Sequence, residues 1–406
     1  MDFAYDEVTT AHIAELEDFM RTEILPAEAV LAEQRGASGD PWFHPPVLED
    51  LKASARKRGL WNLFLPDAEH GAGLTNLQYA PLAEISGRSL SLAPEAMNCS
   101  APDTGNMEIL AMFGTESVKR EWLAPLLDGS IRSCFSMTEP AVASSDANNI
   151  AATLVPDGDG FILRGHKWWS SGAMSDRCKF AIVMAVSNPE ASAHQRHSMV
   201  LVPLDAPGVS IKRSTSVFGY DDGLHGGHAE IVYDDVRVPA EHVLGGPGQG
   251  FAIAQARLGP GRVHHAMRTI GMAERAFDLM CQRAHERNPF GKPLVEHGVV
   301  QDWIARARIW IEQVRLLVLK TAWLIDTVGN RGASVEISAI KVAAPEMATW
   351  VIDKAIQAHG GLGVCQDTPL AAMYAHARIL RIADGPDEVH KMALARRETR
   401  RYAPGS

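Results

Sequence analysis

The chain has 406 residues, 46% of them hydrophobic and 22% charged, which is the balance of a globular protein and not of a disordered one. Its net charge of −10, from 39 basic and 49 acidic residues, excludes a general nucleic-acid binder but leaves room for an anionic ligand in a local basic pocket. No apolar run is long enough to span a bilayer, the acidic start Asp2–Glu7 lacks a signal pattern, and the five cysteines (Cys99, Cys134, Cys178, Cys281, Cys365) include no C-x-x-C pair. A reduced, cytoplasmic protein is the expectation.

From the start to about Ser130 the pattern is helical. Ile13, Leu16, Met20 and Ile24 recur at three- and four-residue spacing and form one apolar stripe. Thr75 and Gln78 have the form of a capping box, opening a helix that carries Leu82 and Ile85. A helix over Asp103–Phe113 should stop at Gly114, and another over Thr115–Leu127 should stop at Gly129.

At about Ile131 the texture changes to short β-rich runs: 133–137, 151–155, 161–163, 180–186, 198–203, 209–211 and 229–238. Asp157-Gly158-Asp159-Gly160 between two of them is a hairpin signal. After Gly250 the chain is helical again, with Trp303, Ala307, Trp310, Val314, Leu317, Thr321, Leu324 and Val328 spaced as a bundle seam. The order predicts an α+β protein with an N-terminal helical domain (1–130), a middle β domain (131–245) and a C-terminal helical domain (246–406).

Several familiar site patterns are missing. Gly245–Gly250 is Gly-rich but does not fit G-x-G-x-x-G and lies outside a βαβ unit, so it reads as a connector. His194–His197 and His225–His228 lack a carboxylate or cysteine partner at helical spacing and read as loop histidines. Phe135-Ser136-Met137-Thr138-Glu139-Pro140 is a strand ending in a corner rich in small and hydroxyl residues, suited to a ring edge or a phosphate. Trp168 and Trp169 are adjacent; on a regular strand one faces the core and the other is free to cover a planar ligand. Near the C-terminus, Arg381–His390 contains Asp384-Gly385-Pro386, a tight corner between two helices. Local sequence alone favours Asp384 as an N-cap.

Seven pieces in register make the chain resemble the acyl-CoA dehydrogenase family over nearly its whole length. They are Gly114-Thr115-Glu116 through Pro125-Leu126, Met137–Pro140, Lys167–Ser170, Tyr233–Pro239, Arg287–Leu294, Gln357–Gly363 and the Asp384 corner. Leu258–His265 and Ala383–Glu388 look most like the branch of family members ten and eleven. The resemblance implies a middle β-barrel or sandwich, a C-terminal four-helix bundle, FAD, an acyl-CoA substrate, electron-transfer flavoprotein as acceptor, and a homotetramer or dimer.

Carried over residue by residue, the resemblance gives FAD contacts to Phe135, Met137, Thr138, Ser145, Trp168, Trp169, Ser170, Arg287, His297, Gln357, Gly361, Pro386 and Glu388. It gives substrate contacts to Ser145, Arg262 and Gly385, and the role of base to Asp384, where most of the family has Glu. The rival base position of some members is Gly261 here, which has no side chain to serve. The turn after Thr138-Glu139-Pro140 has one extra residue, so Ser144 and Ser145 can exchange roles. A flavin oxidase of the nitroalkane oxidase type, which also uses Asp, is the alternative enzyme reading.

Overall fold

The computed structural model describes residues 4–400 and 402. Helix α1 (Glu7–Phe19) is capped by Asp6, whose carboxylate accepts the Thr9 N–H, and it runs through a π-helical turn (Met20–Ile24) into α2 (Leu25–Ser38). Leu16, Met20 and Ile24 are buried as expected, with Phe19 completing the set while Ile13 is half-buried. After α3 (Pro46–Lys57), the capping box at Thr75 and Gln78 opens α4 (Asn76–Gly87). Next come α5 (Ala93–Ala96) and α6 (Asp103–Phe113), the latter stopped at Gly114. The expected 115–127 helix is α7 (Glu116–Val118) and α8 (Ala124–Leu127) joined by another π-helical turn, and Gly129 ends it with φ 71°.

Seven strands follow: β1 (Arg132–Ser136), β2 (Thr153–Asp157), β3 (Gly160–Ser171), β4 (Cys178–Val186), β5 (His197–Pro203), β6 (Val209–Thr215) and β7 (His228–Pro239). They form one sheet in the order β1-β4-β2-β3-β7-β6, with β5 also paired to β4. The hairpin at Asp157–Gly160 joins β2 to β3, and β1 and β4 run parallel with Phe135 opposite Ile182. The expected run at 161–163 is only the start of β3, which continues for twelve residues through the tryptophan pair. Helices α9 (Gly250–Glu286), α10 (Gly298–Gly332), α11 (Ser334–His359), α12 (Leu370–Ile379) and α13 (Asp387–Arg400) complete the chain.

Packing divides the chain into two compact units. The first comprises the start up to Leu25, Leu74–Pro94 and everything from Arg262 onward. Within it α4 and α9 approach so closely that a Cβ on Gly87 would strike the Arg268 carbonyl and one on Gly271 would strike the Glu84 carbonyl. Glycine at both crossings lets the backbones meet. Arg315 of α10 pairs with Glu84 (2.8 Å), and also with Glu274 and Glu312, so the crossing is tied by a charged network. On α10 the expected seam is rotated. Ala307, Val314 and Thr321 are buried, but Ile311 and Val318 join them, whereas Trp303 and Trp310 are half-buried and Val328 is exposed.

The second unit comprises Pro26–Gly73 and Glu95–Gly261 and holds the whole sheet. Its interior contains charges that are matched in different ways. Although burial pushes the Glu95 carboxyl up, Arg132 and Lys52 hold it down to about 2. Lys167 of β3 is fully buried. Its ammonium donates to Glu139 Oε1 (2.7 Å), the Met137 carbonyl (2.9 Å) and the Met184 carbonyl (2.7 Å). Glu139 also accepts the Ala151 and Ala152 N–H groups, so one ion pair fixes the end of β1 to β3, β4 and the start of β2. Glu108 of α6 is different: burial pushes its carboxyl up to about 8 despite the charge of Arg257.

Two outcomes follow from these buried groups. Lys167→Met leaves the Glu139 carboxylate without its counter-ion and should cost about 3–5 kcal/mol, read as a lowered urea midpoint; pairing it with Glu139→Gln should recover part of the loss. For Glu108, the folded chain keeps its proton up to about pH 8 while the unfolded chain releases it near 4.5. The native state is therefore favoured below the lower value and loses that contribution as pH rises through the higher one. Glu108→Gln cannot ionise, so its melting temperature relative to the parent should rise between about pH 5 and pH 8, by the equivalent of a few kcal/mol at most.

Candidate active site

In the second unit, the end of β1 and the middle of β3 form an aromatic corner. Thr138 Oγ1 donates to the Trp168 carbonyl (2.8 Å) and Trp168 N–H donates to the Thr138 carbonyl (3.1 Å), a reciprocal clip. The β3–β7 register shifts between Lys167 and Ser170, and Trp169 sits at φ 55°. This bulge breaks the alternation expected of the tryptophans: both are half-buried, their rings meet edge to face at 6.3 Å, and Trp169 also lies against His228 at 5.3 Å. Neither is core. Phe135 and Met137, at the end of β1, are half-buried, and the Arg257 guanidinium stacks on the Phe135 ring at 3.9 Å while donating to Asn106 Oδ1 (3.0 Å).

Not every hydroxyl of this corner is available. Ser170 is buried with its Oγ 2.8 Å from Ser136 Oγ, which also receives the Tyr233 hydroxyl, so its side chain is already engaged within the protein. Ser144 closes the turn, accepting the Glu139 N–H at 2.8 Å, whereas Ser145 is exposed. The two serines therefore differ, and Ser145 is the one facing outward. The half-buried faces of Phe135, Met137, Trp168 and Trp169 suit a planar ring.

In the first unit the chain leaves α12 and turns at Asp384 with φ 56°, a left-handed conformation that strains a residue bearing a Cβ, followed by Gly385 at φ 102°. Helix α13 starts at Asp387, and the Pro386 carbonyl accepts from Val389 and His390. Asp384 is thus two residues outside the cap position. The cap reading gives way because the glycine and proline after Asp384 carry the chain one step further before helical geometry begins.

What holds the corner is a set of basic side chains on its carbonyls. Arg262 of α9 donates from Nε (3.2 Å) and Nη2 (3.1 Å) to the Asp384 carbonyl, and His390 Nε2 lies 3.2 Å from the same oxygen. Lys341 of α11 donates to the carbonyls of Leu380 (2.5 Å) and Gly385 (3.3 Å). Arg381 Nε donates to Asp387 Oδ2 at 2.7 Å, tying the two sides of the turn. Burial pulls Lys341 down to about 8 against the attraction of Asp384 and Asp387, and burial with the Arg262 charge pulls His390 down to about 4. The carboxylate of Asp384 faces His265 of α9, with Oδ2 3.8 Å from Nε2.

Arg262, Asp384, Gly385 and Pro386 are therefore one cluster, while Glu388 is exposed on the first turn of α13. Arg287 is exposed just past α9, and His297 is half-buried ahead of α10, with Nε2 3.3 Å from the Pro289 carbonyl. Gln357 and Gly361 are exposed at the end of α11. Sequence reasoning missed Lys341, His265 and His390. For Lys341 the only signal was a basic residue within an apolar helical stretch, and nothing local marks His265 or His390. Gly261 is not a packing requirement, since a Cβ there would meet nothing within 4 Å.

Three family models cover the chain: the acyl-CoA dehydrogenase N-terminal domain over residues 7–130, the middle domain over 134–236 and the C-terminal domain over 248–399. The Mycobacterium tuberculosis protein named "Probable acyl-CoA dehydrogenase FadE2" is 57% identical over 99% of this chain and 98% of its own length. Mouse acyl-CoA dehydrogenase family member 11 is 53% identical over 95% of this chain, which spans 50% of that longer protein. A solved structure from Mycobacterium abscessus is 53% identical, covers 99% of this chain and 100% of its own, and superposes with a TM-score of 0.96. Among the described residues no helix is long and apolar enough to cross a membrane. With its three domains matched and its relatives alike over nearly its full length, the chain belongs to the acyl-CoA dehydrogenase family of flavoprotein oxidoreductases.

Proposed function

We propose that this enzyme desaturates an acyl-CoA thioester between its α and β carbons, with Asp384 as the base and FAD as the resident cofactor. The observation that carries the reading is the Asp384 corner, where a carboxylate is mounted on a rigid left-handed turn whose own carbonyl is gripped by Arg262 and His390. Asp384 takes the α-proton onto its carboxylate. The electrons of that C–H bond form the C=C bond as the β-hydrogen departs with its pair. Bound FAD supplies the acceptor for that hydride at N5.

The chain's own residues position these events. Phe135, Met137, Thr138, Trp168 and Trp169 hold the ring system, with Ser145, facing outward, near the pyrophosphate or CoA end. Gly385 offers its N–H to the thioester carbonyl, a donor aimed at developing negative charge. An aspartate is one methylene shorter than the usual glutamate. Its reach depends on where the backbone is held, since a base must come within hydrogen-bond distance of the proton it removes.

Arg287, His297, Gln357, Gly361, Pro386 and Glu388 are assigned to FAD on the family pattern, Arg287 through its guanidinium fork to phosphate. Phe290, three residues beyond Arg287, is 98% exposed, which supports a loop that reaches a second subunit. Ile309, Leu316 and Trp323 of α10 are exposed at seven-residue spacing, and they support a homo-oligomer of two or four chains. Electron-transfer flavoprotein is the proposed acceptor. The cytoplasm is the proposed location.

A panel of acyl-CoAs should bleach the oxidised flavin under anaerobic conditions, and bleaching by none of them would refute the reading. Bleaching by nitroalkanes alone would instead favour the oxidase that the Asp base also permits. Asp384→Asn should keep flavin bound yet slow its reduction by about a thousandfold or more, the scale of losing a general base. In sedimentation, Leu316→Glu combined with Trp323→Glu should give a smaller assembly than the parent.

A further inference from the structure

We propose that His265 is a positioning residue for Asp384, donating a hydrogen bond from a neutral imidazole to the carboxylate so that the short side chain is aimed at the substrate. The inference rests on the reading of Asp384 as the base.

The corner divides its contacts into two kinds. Arg262, His390 and Lys341 bond to backbone carbonyls, at Asp384, Leu380 and Gly385. Those bonds set where the turn lies, and Arg262 and Lys341 also act on the Asp384 carboxylate through their charge. His265 stands three residues after Arg262 on α9, on the same face of that helix, and it meets the carboxylate itself. Arg262 thus holds the main chain of the base while His265 faces its oxygen.

The separation of 3.8 Å is about 1 Å longer than a formed hydrogen bond. Catalytic hydrogen bonds are often long before substrate arrives and close as the site is desolvated. His265 also borders a small cavity of about 10 Å³, which it shares with Arg262, Ala266, Thr269, Lys341 and Leu380. The backbone of His265 is meanwhile fixed, its carbonyl accepting the Thr269 hydroxyl at 2.6 Å.

The protonation state follows from the neighbours. Burial and the charge of Arg268 pull His265 down to about 3, with His376 and Lys341 acting in the same direction and Asp384 opposing. Arg262 and His390 face Asp384 from α9 and α13, Lys341 from α11, and Arg381 with Asp387 occupies the far side of the turn. Amid these cations a second positive charge on His265 is disfavoured. The ring is neutral, and with Nε2 carrying the proton it is the donor to Oδ2 once the gap closes. A neutral donor suits a base. A lysine or arginine in direct contact would lower the carboxylate's proton affinity by one to three pH units or so, weakening it for the step it performs.

The test compares holoenzymes carrying His265→Ala and His265→Gln, the amide nitrogen of Gln standing close to the place of Nε2. Reduction of the flavin by an acyl-CoA in single turnover is followed against pH. The ionisation of Asp384 is read separately, without substrate, from its carboxyl infrared band after subtraction of the Asp384→Asn spectrum. His265→Ala should slow reduction about tenfold to a hundredfold, the worth of one hydrogen bond to a charged group. It should also raise the Asp384 midpoint by about one pH unit. His265→Gln should stay within about threefold of the parent.

A parental rate and midpoint in His265→Ala would overturn the proposal. So would equal loss in both variants with the midpoint unmoved, which is the mark of a packing role alone. If Asp384→Asn reduces normally, the reading of Asp384 as base fails first. The infrared midpoints still report whether His265 contacts the carboxylate, so the two failures are distinct.

Discussion

The bond from Arg262 to the Asp384 carbonyl is the constraint on which the proposed chemistry depends. A residue with a Cβ at φ 56° is held away from its preferred backbone geometry, and such a conformation persists only when its surroundings over-determine it. Here a guanidinium supplies two donors to one oxygen and His390 stands at the same oxygen. The usual bidentate partner of arginine is a carboxylate, which would have engaged the acid itself. By gripping the carbonyl, Arg262 fixes the backbone of the base.

The same device recurs at the other important corner. Lys167 is fully buried and shares its ammonium between Glu139 and two carbonyls where β1 runs out of ladder partners. Lys341 does this at the end of α12. In each case the chain leaves regular structure inside the protein, where an unpaired carbonyl is costly, and a long basic side chain supplies the missing donor. Both ammonium groups are pulled down to about 8 by burial, a measure of the cost of using a charge for this purpose.

Much of the architecture was legible in the residues because it is encoded locally. The Thr75–Gln78 box, Gly114, Gly129 and Asp157–Gly160 each specify a boundary through their own backbone or side-chain chemistry, and each stands where it was expected. Local rules failed where the backbone departs from its regular repeat. The bulge between Lys167 and Ser170 put Trp168 and Trp169 on neither of the faces that strict alternation predicts. Asp384 read as a cap because Asp is a common cap, and nothing local reveals that helix α13 waits until Asp387.

The sequence by itself determined the class of the protein. Helical and strand periods, turn residues and seven spaced motifs together identify the family, since each depends on residues close together in the chain. Only the tertiary structure decided which groups surround the carboxylate. Arg262, His265, Lys341 and His390 come from α9, α11 and α13, and long-range packing of those helices brings them to Asp384. It also decided that Ser144 is spent on a turn while Ser145 faces outward, and that Ser170 is locked to Ser136. The physical reason is common to all of these. A side chain's type is written in the sequence, but whether its donors are already used depends on partners that only folding brings within reach.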